Sequence, residues 1–313
     1  MAEYKGIHGT KIQNYTSDPA NPLQGQVWYN STSNSLKFDA PLVGAWATAN
    51  NLNTARAYFG SAGTQTAALA FGGYPITGLT ESYNGTNWTE VNDLNTVRGY
   101  LSGVGTNTAA LAIGGFGTFN SQFTESWNGT NWTAVNTLNS ATNSSGQGGT
   151  NTSALVFGSS PKDTKTELWN GTNWTEVNNL NTARAYLGGC GANNTAVLAF
   201  GGNNPGSPSS SVLTEIWNGT NWTEVNDQNT SETYMGSAGI STSALEFGGG
   251  PNGAATEEWN GTNWSEVADL NTSRTGLGGA GTQPAALAFG GSGVTAATEE
   301  WNIAGGIVTI TTD

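Results

Sequence analysis

The sequence predicts an all-β fold, a six-bladed β-propeller of four-stranded blades, and three observations carry that prediction. A Trp-Asn-Gly-Thr-Asn-Trp hexapeptide stands at Trp127–Trp132, Trp169–Trp174, Trp217–Trp222 and Trp259–Trp264, with a Tyr83–Trp88 version before them. Trp46, Trp88, Trp132, Trp174, Trp222 and Trp264 recur at intervals of 42, 44, 42, 48 and 42 residues, a period that points to a propeller or solenoid. The 45 glycines among 313 residues, with abundant Thr, Asn and Ala, describe a turn-rich β chain. Length alone suggests about two domains, and the repeat overrides it.

In chain order, residues 1–25 read as an extended arm, because Ser17-Asp18-Pro19-Ala20-Asn21-Pro22 is too rich in breakers for a helix or a long strand. Gln24 to Asn30, the turn Ser31-Thr32-Ser33-Asn34 and Ser35 to Phe38 then form a strand, turn and strand. A lone hairpin is marginal in water, so it is expected to dock. The domain organisation read here is 1–43 arm and hairpin, 44–302 propeller, and 303–313 a C-terminal strand.

Each repeat supplies four strand-like pieces, labelled d, a, b and c in chain order. In the second, Trp88–Val91 is d, Gly99–Gly105 is a, Thr108–Ile113 is b and Thr124–Trp127 is c. Strand b recurs as Ala67–Phe71, Ala109–Ile113, Ser153–Phe157, Ala196–Phe200, Ser243–Phe247 and Ala285–Phe289. Being apolar on both faces, it suits a sheet sandwiched between sheets. The Asn-Gly-Thr-Asn tips join c to d, since Asn-Gly readily takes the positive φ of a tight turn. The first copy starts at strand d (Ala45–Thr48) and the last ends at c (Thr298–Trp301), so the N-terminal d strand is expected to complete the final blade and close the ring. The tail Ile307–Thr311 competes for that place.

Strand alternation puts the b-to-c and d-to-a connections on one face and the a-to-b and c-to-d turns on the other. The turns are nearly uniform, whereas the b-to-c loops differ among copies, which marks that face as the specialised one. Its candidate binding residues are Tyr74, Phe116, Phe119 and Phe123, with Lys162, Lys165, Asn203, Asn204 and Ser209 as polar contacts.

A Gly-Gly ending an apolar strand, then an aromatic, a Trp and an Arg, as in Gly72-Gly73, Tyr83, Trp88 and Arg98, resembles the kelch repeat from Gly44 to Asn302. The resemblance implies a β-propeller. Ser159 replaces the second Gly once, and the Arg position holds Thr142 and Glu232 in two copies, so those blades are expected to be looser. The N-terminal stretch, Gly9–Gln13, Ser17–Pro22 and Gly25–Asn30, looks like the start of tailed-bacteriophage virion proteins, especially from marine phages. It implies a virion component, assembled in the host cytoplasm, whose arm and hairpin (Ile12, Val27, Trp28, Tyr29, Leu36, Phe38) attach to other virion proteins, with oligomers within the particle.

Six glutamates, Glu81, Glu125, Glu167, Glu215, Glu257 and Glu299, stand two residues before the c-strand aromatic. A carboxylate ring could hold a cation, but Arg98, Arg184 and Arg274 follow Glu81, Glu167 and Glu257 by 17 residues, and Glu299 would meet Arg56 on closure. Inter-blade ion pairs are the favoured reading. The only histidine, His8, lies in the arm, which removes His-based metal and Ser-His-Asp sites from the propeller; no metal or cofactor is expected. Lone Cys190 makes no internal disulfide and reads as a buried inert thiol. Net charge −13 opposes nucleic-acid binding. No signal peptide and no apolar run of about 18 residues is visible, so neither export by the usual route nor membrane insertion is expected.

The function expected is non-enzymatic: a tail-associated fibre or adhesin that meets a host surface glycan or protein. A capsid or tail decoration protein is the alternative. A carbohydrate-active enzyme using paired carboxylates ranks third, because no acidic pair stands out from the repeat.

Overall fold

The computed structural model describes residues 12–23, 25–206 and 210–310. Within them the chain is all β, without a helix, and no helix is long and apolar enough to cross a membrane. It divides into two compact units, one of residues 1–45 with 303–313 and one of residues 46–302.

The larger unit is built from repeated four-stranded sheets, arranged as propeller-like blades. The first is Gly60–Thr64, Ala67–Phe71, Thr80–Tyr83 and Trp88–Val91, and the second Ser102–Thr106, Ala109–Ile113, Thr124–Trp127 and Trp132–Val135. The third is Gly146–Thr150, Ser153–Phe157, Thr166–Trp169 and Trp174–Glu176. The fourth is Gly188–Asn193, Ala196–Phe200, Thr214–Trp217 and Trp222–Glu224, and the fifth Gly236–Ile240, Ser243–Phe247, Thr256–Trp259 and Trp264–Glu266. In the order a, b, c, d each strand pairs antiparallel with the next. All six b strands occupy the ranges read from the sequence. The predicted Gly99–Gly105 strand starts only at Ser102, because Tyr100 takes a left-handed φ of 54° that breaks the extended ladder.

A sixth sheet runs Gly278–Thr282, Ala285–Phe289, Thr298–Ile310, Ser35–Ala49, Val27–Asn30 and Gln13–Tyr15. Strand Ser35–Ala49 lies beside Thr298–Ile310 in this sheet, and Trp46 O accepts from Asn271 Nδ2 at 3.0 Å as Trp88 O accepts from Asn53 Nδ2 at 2.9 Å. The tail belongs to the same sheet as far as Ile310. It lengthens strand c, which continues without a break to Ile310; Thr311 lies outside the described residues.

In the smaller unit the extended arm contributes one short strand, Gln13–Tyr15, which pairs parallel with Val27–Asn30. That strand occupies an edge the Val27–Phe38 hairpin would otherwise leave unpaired. Asp18 organises the unit, accepting from Trp28 Nε1 at 3.1 Å, Asn30 Nδ2 at 2.7 Å and Lys37 Nζ at 2.8 Å. The Lys37 ammonium first, then the other two donors, pull its carboxyl down to about 2.

Inside the larger unit, b strands from adjacent sheets pack face to face. Ala68, Ala70, Leu287, Phe289 and Trp88 form one such layer, and Leu69, Phe71, Ala110, Ala112 and Trp132 the next. Glycine on strand a lets the b-strand phenylalanine lie across it: a Cβ on Gly60 would meet the Phe71 ring at 2.2 Å. Each d-strand tryptophan also donates its indole N–H to the threonine that opens strand c of the preceding sheet. The bonds are Trp88 to Thr298, Trp132 to Thr80, Trp174 to Thr124, Trp222 to Thr166, Trp264 to Thr214 and Trp46 to Thr256, all 3.0–3.3 Å. This satisfies a buried donor and joins sheet to sheet.

The hexapeptide is a c-to-d tip in every copy. In one, Gly171 has a φ of 93°, and Asn170 Oδ1 accepts from the backbone of Thr172 and Asn173. Its last asparagine also reaches the neighbouring repeat, for Asn136 Nδ2 donates to Asn173 Oδ1 at 2.8 Å and to Thr172 O at 3.0 Å. The tip is thus both a turn and a lace between sheets.

Candidate functional site

The six a strands and the connections entering them line a cavity of about 190 Å³ that is open to solvent. Strand a of each sheet touches strand a of the next, and that of the sixth touches that of the first. At one end of the cavity stand Tyr58, Tyr100, Ser144, Tyr186, Tyr234 and Gly276. All six have φ between 53° and 65°, a conformation that costs a non-glycine residue on the order of 1 kcal/mol.

A cycle of backbone hydrogen bonds holds them there. Tyr100 N donates to Tyr58 O at 2.6 Å, Ser144 N to Tyr100 O at 2.9 Å, Tyr186 N to Ser144 O at 2.8 Å and Tyr234 N to Tyr186 O at 3.0 Å. Gly276 N then donates to Tyr234 O at 2.8 Å, and Tyr58 N to Gly276 O at 2.7 Å, returning to the first member. Tyr58 stacks on Tyr100 with centroids 4.6 Å apart, and Tyr186 on Tyr234 at 4.4 Å. Burial raises the hydroxyl pKa of Tyr58, Tyr100 and Tyr234 above the ordinary phenol value, which keeps these phenols neutral.

Among the described residues no charged side chain lines the cavity. Its walls offer hydroxyls, an amide at Gln147 and backbone edges, a lining for hydrogen bonding to an uncharged ligand or to water. Cys190 is part of the wall, and burial pushes its thiol up to about 12, so it carries no thiolate reactivity at neutral pH. Among the described residues no group of three His, Cys, Asp or Glu is placed to hold a metal ion.

The collar escaped the reading of the sequence, although its signal was present. Each member stands twelve residues after a repeat tryptophan, from Trp46 and Tyr58 to Trp264 and Gly276. Serine and glycine in two of the six places hid the aromatic pattern.

Among the candidate loop residues, Tyr74 is 48% exposed, Phe116 39%, Phe119 78% and Phe123 51%. All four lie in the b-to-c loops of the first two sheets. Ile76 and Val97 extend the exposed apolar surface between those loops. Bridges from Ala57 to Tyr74 and from Gly99 to Phe116 pin the loops to the connections that carry the collar. The polar candidates are differently employed: Lys162 Nζ donates to Asn204 O at 2.7 Å, tying the loops of the third and fourth sheets, and Lys165 Nζ donates to Ser140 Oγ at 3.0 Å. Asn203 bridges to Ala185, and Ser209 lies outside the described residues, as do His8 and the Gly9–Lys11 part of the arm. Of the expected attachment residues, Ile12 is 55% and Val27 38% exposed, Tyr29, Leu36 and Phe38 are half-buried, and Trp28 is fully buried. Trp28 is an interior residue held by Asp18, which corrects its assignment as an attachment contact.

The ion pairs form with partners other than those spacing suggested. Arg56 meets Glu81 at 2.5 Å, Arg98 meets Glu125 at 2.5 Å, Arg184 meets Glu215 at 2.8 Å and Arg274 meets Glu299 at 2.8 Å. The arginine lies in the connection entering a sheet, and that sheet's own strand c comes after it, so the pair forms forward along the chain. Glu81 does not pair with Arg98, nor Glu299 with Arg56. Each glutamate also accepts backbone N–H groups of the incoming connection, as Glu215 does from Asn181 at 2.8 Å, stapling it to strand c.

Glu167 and Glu257 lack an arginine because Thr142 and Glu232 occupy its place. Beside Glu167 the missing guanidinium leaves a cavity of about 20 Å³ lined by Thr142, Ser159, Asp163 and Lys165, room for one water. No family model matches the chain, and no curated protein matches it.

Proposed function

We propose that the chain is a non-enzymatic virion structural protein of a tailed bacteriophage, a tail-associated fibre or adhesin. Its repeat sheets form a six-bladed, kelch-like propeller closed by strand Ser35–Ala49 and presented to the host surface. Closure is supported by the indole–threonine bonds and the collar cycle, each of which returns from the sixth sheet to the first. The virion assignment rests on the likeness of the N-terminal stretch. The recognition role rests on one observation, the exposed aromatic group Tyr74, Phe116, Phe119 and Phe123, confined to adjacent loops at the end where the repeats differ. Aromatic faces of this kind stack on sugar rings or bury against a protein partner.

The lacing of loop to loop, through Lys162 to Asn204 and Asn120 Nδ2 to Ser160 O at 3.4 Å, favours a decoration or connector role as the second reading. A carbohydrate-active enzyme fits less well, since the described residues of the cavity wall include no carboxylate.

The test is binding of the labelled full chain to a panel of marine bacterial cells and isolated envelope polysaccharides. Phe119→Ser combined with Phe123→Ser is expected to weaken binding by roughly tenfold or more, with stability changed by only about 0.5 kcal/mol per exposed site. No binding to any cell or polysaccharide, with the chain located on the capsid shell in a particle reconstruction, would favour decoration.

A further inference from the structure

One repeat has exchanged its buried set. The connection entering a sheet carries Leu52, Leu94, Leu138, Leu180 or Leu270, but Gln228 before the fifth sheet. Four residues on, where four repeats place arginine, this one has Glu232. On strand b, where the others carry Ala70, Ala112, Val156, Ala199 and Ala288, it has Glu246. The leucine and the alanine belong to one apolar layer in the first two repeats, Leu52 with Ala70 and Leu94 with Ala112. The fifth repeat therefore turns polar at two members of a layer and acidic at the neighbouring cation.

All of these side chains are interior: Gln228 is 4% exposed, and Glu232, Glu246 and Glu257 are 0%. Glu246 stands directly across from Glu257 in the strand register. Glu257 is well supplied, accepting from the N and Nδ2 of Asn229 and from the N and Oγ1 of Thr230. Both oxygens of Glu232 accept from Asn252 N. Both Glu246 oxygens and both polar atoms of the Gln228 amide have no partner among the described residues.

The charged groups acting on Glu246 are Glu257 on strand c and Glu232 in the connection, both acidic. Strand a places Ser237 opposite it. The strands of the adjacent sheets, Ala196–Phe200 and Gly278–Thr282, contain no charged residue. The nearest repeat arginines are committed, Arg184 to Glu215 and Arg274 to Glu299.

Three buried carboxylates with no cation beside them among the described residues cannot all be ionised, because each unpaired charge loses its hydration with nothing to replace it. Glu257 accepts four hydrogen bonds, whereas Glu246 accepts none among the described residues. We propose that Glu246 is held as the neutral carboxylic acid and makes the fifth sheet a pH-responsive element, firm while the proton is bound and loosened when it leaves.

The titration tendencies agree in sign. Burial raises Glu246 well above its ordinary value, and Glu257 and Glu232 push the same way. Burial also raises Glu232 to about 7. A carboxyl with a raised folded pKa binds its proton more tightly folded than unfolded. Its contribution to stability is therefore lost as pH rises from the unfolded value, about 4.3, through the folded one. Loss of the proton places a new charge beside Glu232, whose bond to Asn252 holds the b-to-c loop of that sheet.

The experiment is thermal unfolding of the full chain between about pH 5 and about pH 9, with hydrogen exchange at residues 243–259. Tm is expected to fall across that range in the wild type, and Glu246→Ala, the residue of most sibling repeats, is expected to reduce the fall by at least half. Glu246→Gln serves as a second variant, and Glu176→Gln, which removes the same charge from an exposed site, should keep the wild-type slope. Exchange in the fifth sheet should rise with pH more than in the fourth, after correction for intrinsic rates, and the excess should vanish in Glu246→Ala. Parallel Tm curves for wild type and both Glu246 variants would overturn the proposal. So would stabilisation of the wild type at about pH 8 by millimolar calcium, reversed by chelator and missing from Glu246→Ala, which would assign a cation in place of the proton.

Discussion

Arg184→Ala is expected to lower the stability of the chain by about 3–5 kcal/mol, the cost of leaving one member of a buried pair without its counter-charge. Arg184 is fully buried, and its guanidinium donates to Glu215 Oε1 at 2.8 Å, Leu213 O at 2.7 Å and Gly201 O at 3.1 Å. Alanine strips those donors from a carboxylate and two carbonyls at once. At roughly 2–4 °C per kcal/mol for a chain of this size class, Tm should fall by roughly 10 °C. Glu215→Gln with Arg184 intact should also destabilise, through the stranded guanidinium. A Tm change under about 2 °C in Arg184→Ala would mean that the staple is dispensable. The net worth of the pair is a separate matter, since apolar residues of matching volume often do as well in such a place.

Trp222→Ala should cost a similar amount, about 3–5 kcal/mol, by opening a cavity between the third and fourth sheets. The indole packs against Phe157 with ring centroids 4.8 Å apart and donates to Thr166 Oγ1 at 3.1 Å. Trp222→Phe separates the two contributions: it retains most of the packing and loses the hydrogen bond, worth about 1 kcal/mol. Denaturant unfolding reads both. Equal losses from the two substitutions would place the energy in the hydrogen bond instead of the packing. Together, Arg184→Ala and Trp222→Ala approach the whole stability of an ordinary domain, about 5–15 kcal/mol, so the double variant is expected to be largely unfolded.

The b strands and the Asn-Gly-Thr-Asn tips were legible because their residues act locally: apolar runs between glycines, and one glycine at positive φ. Partners across the sheet were less so. Arg98 lies 17 residues after Glu81 and 27 before Glu125, and only the fold decides that the longer interval is the contact. The loop aromatics Phe119 and Phe123 could be named as exposed, while the internal bonds of Lys162 and Lys165 depend on loop conformations that no period encodes. The collar lay in plain register with the tryptophans, yet its purpose is a backbone cycle, to which side-chain identity gives little clue. Glu246 was hidden for a different reason. A single acid among repeated apolar strands looks like drift until its register partner is known to be another glutamate.

The indole–threonine bonds have a consequence for how the chain reaches this state. Trp132 and Thr80 are 52 residues apart, and Trp174 and Thr124 are 50, whereas Trp46 and Thr256, like Trp88 and Thr298, are 210. Closing a loop four times longer costs only about 1 kcal/mol more in chain entropy, so the distant bonds are nearly as good at equilibrium as the near ones. Their timing differs. Five sheets can form from contiguous stretches as synthesis proceeds, but in the sixth Ser35–Ala49 finds only its local hairpin partner Val27–Asn30 at once, and the Trp46 end waits for Thr298–Ile310 while some 250 residues emerge behind it. The d-strand edge at Trp46 is then the surface most exposed to a wrong partner during folding, and the rate at which the two distant segments meet sets how long that exposure lasts.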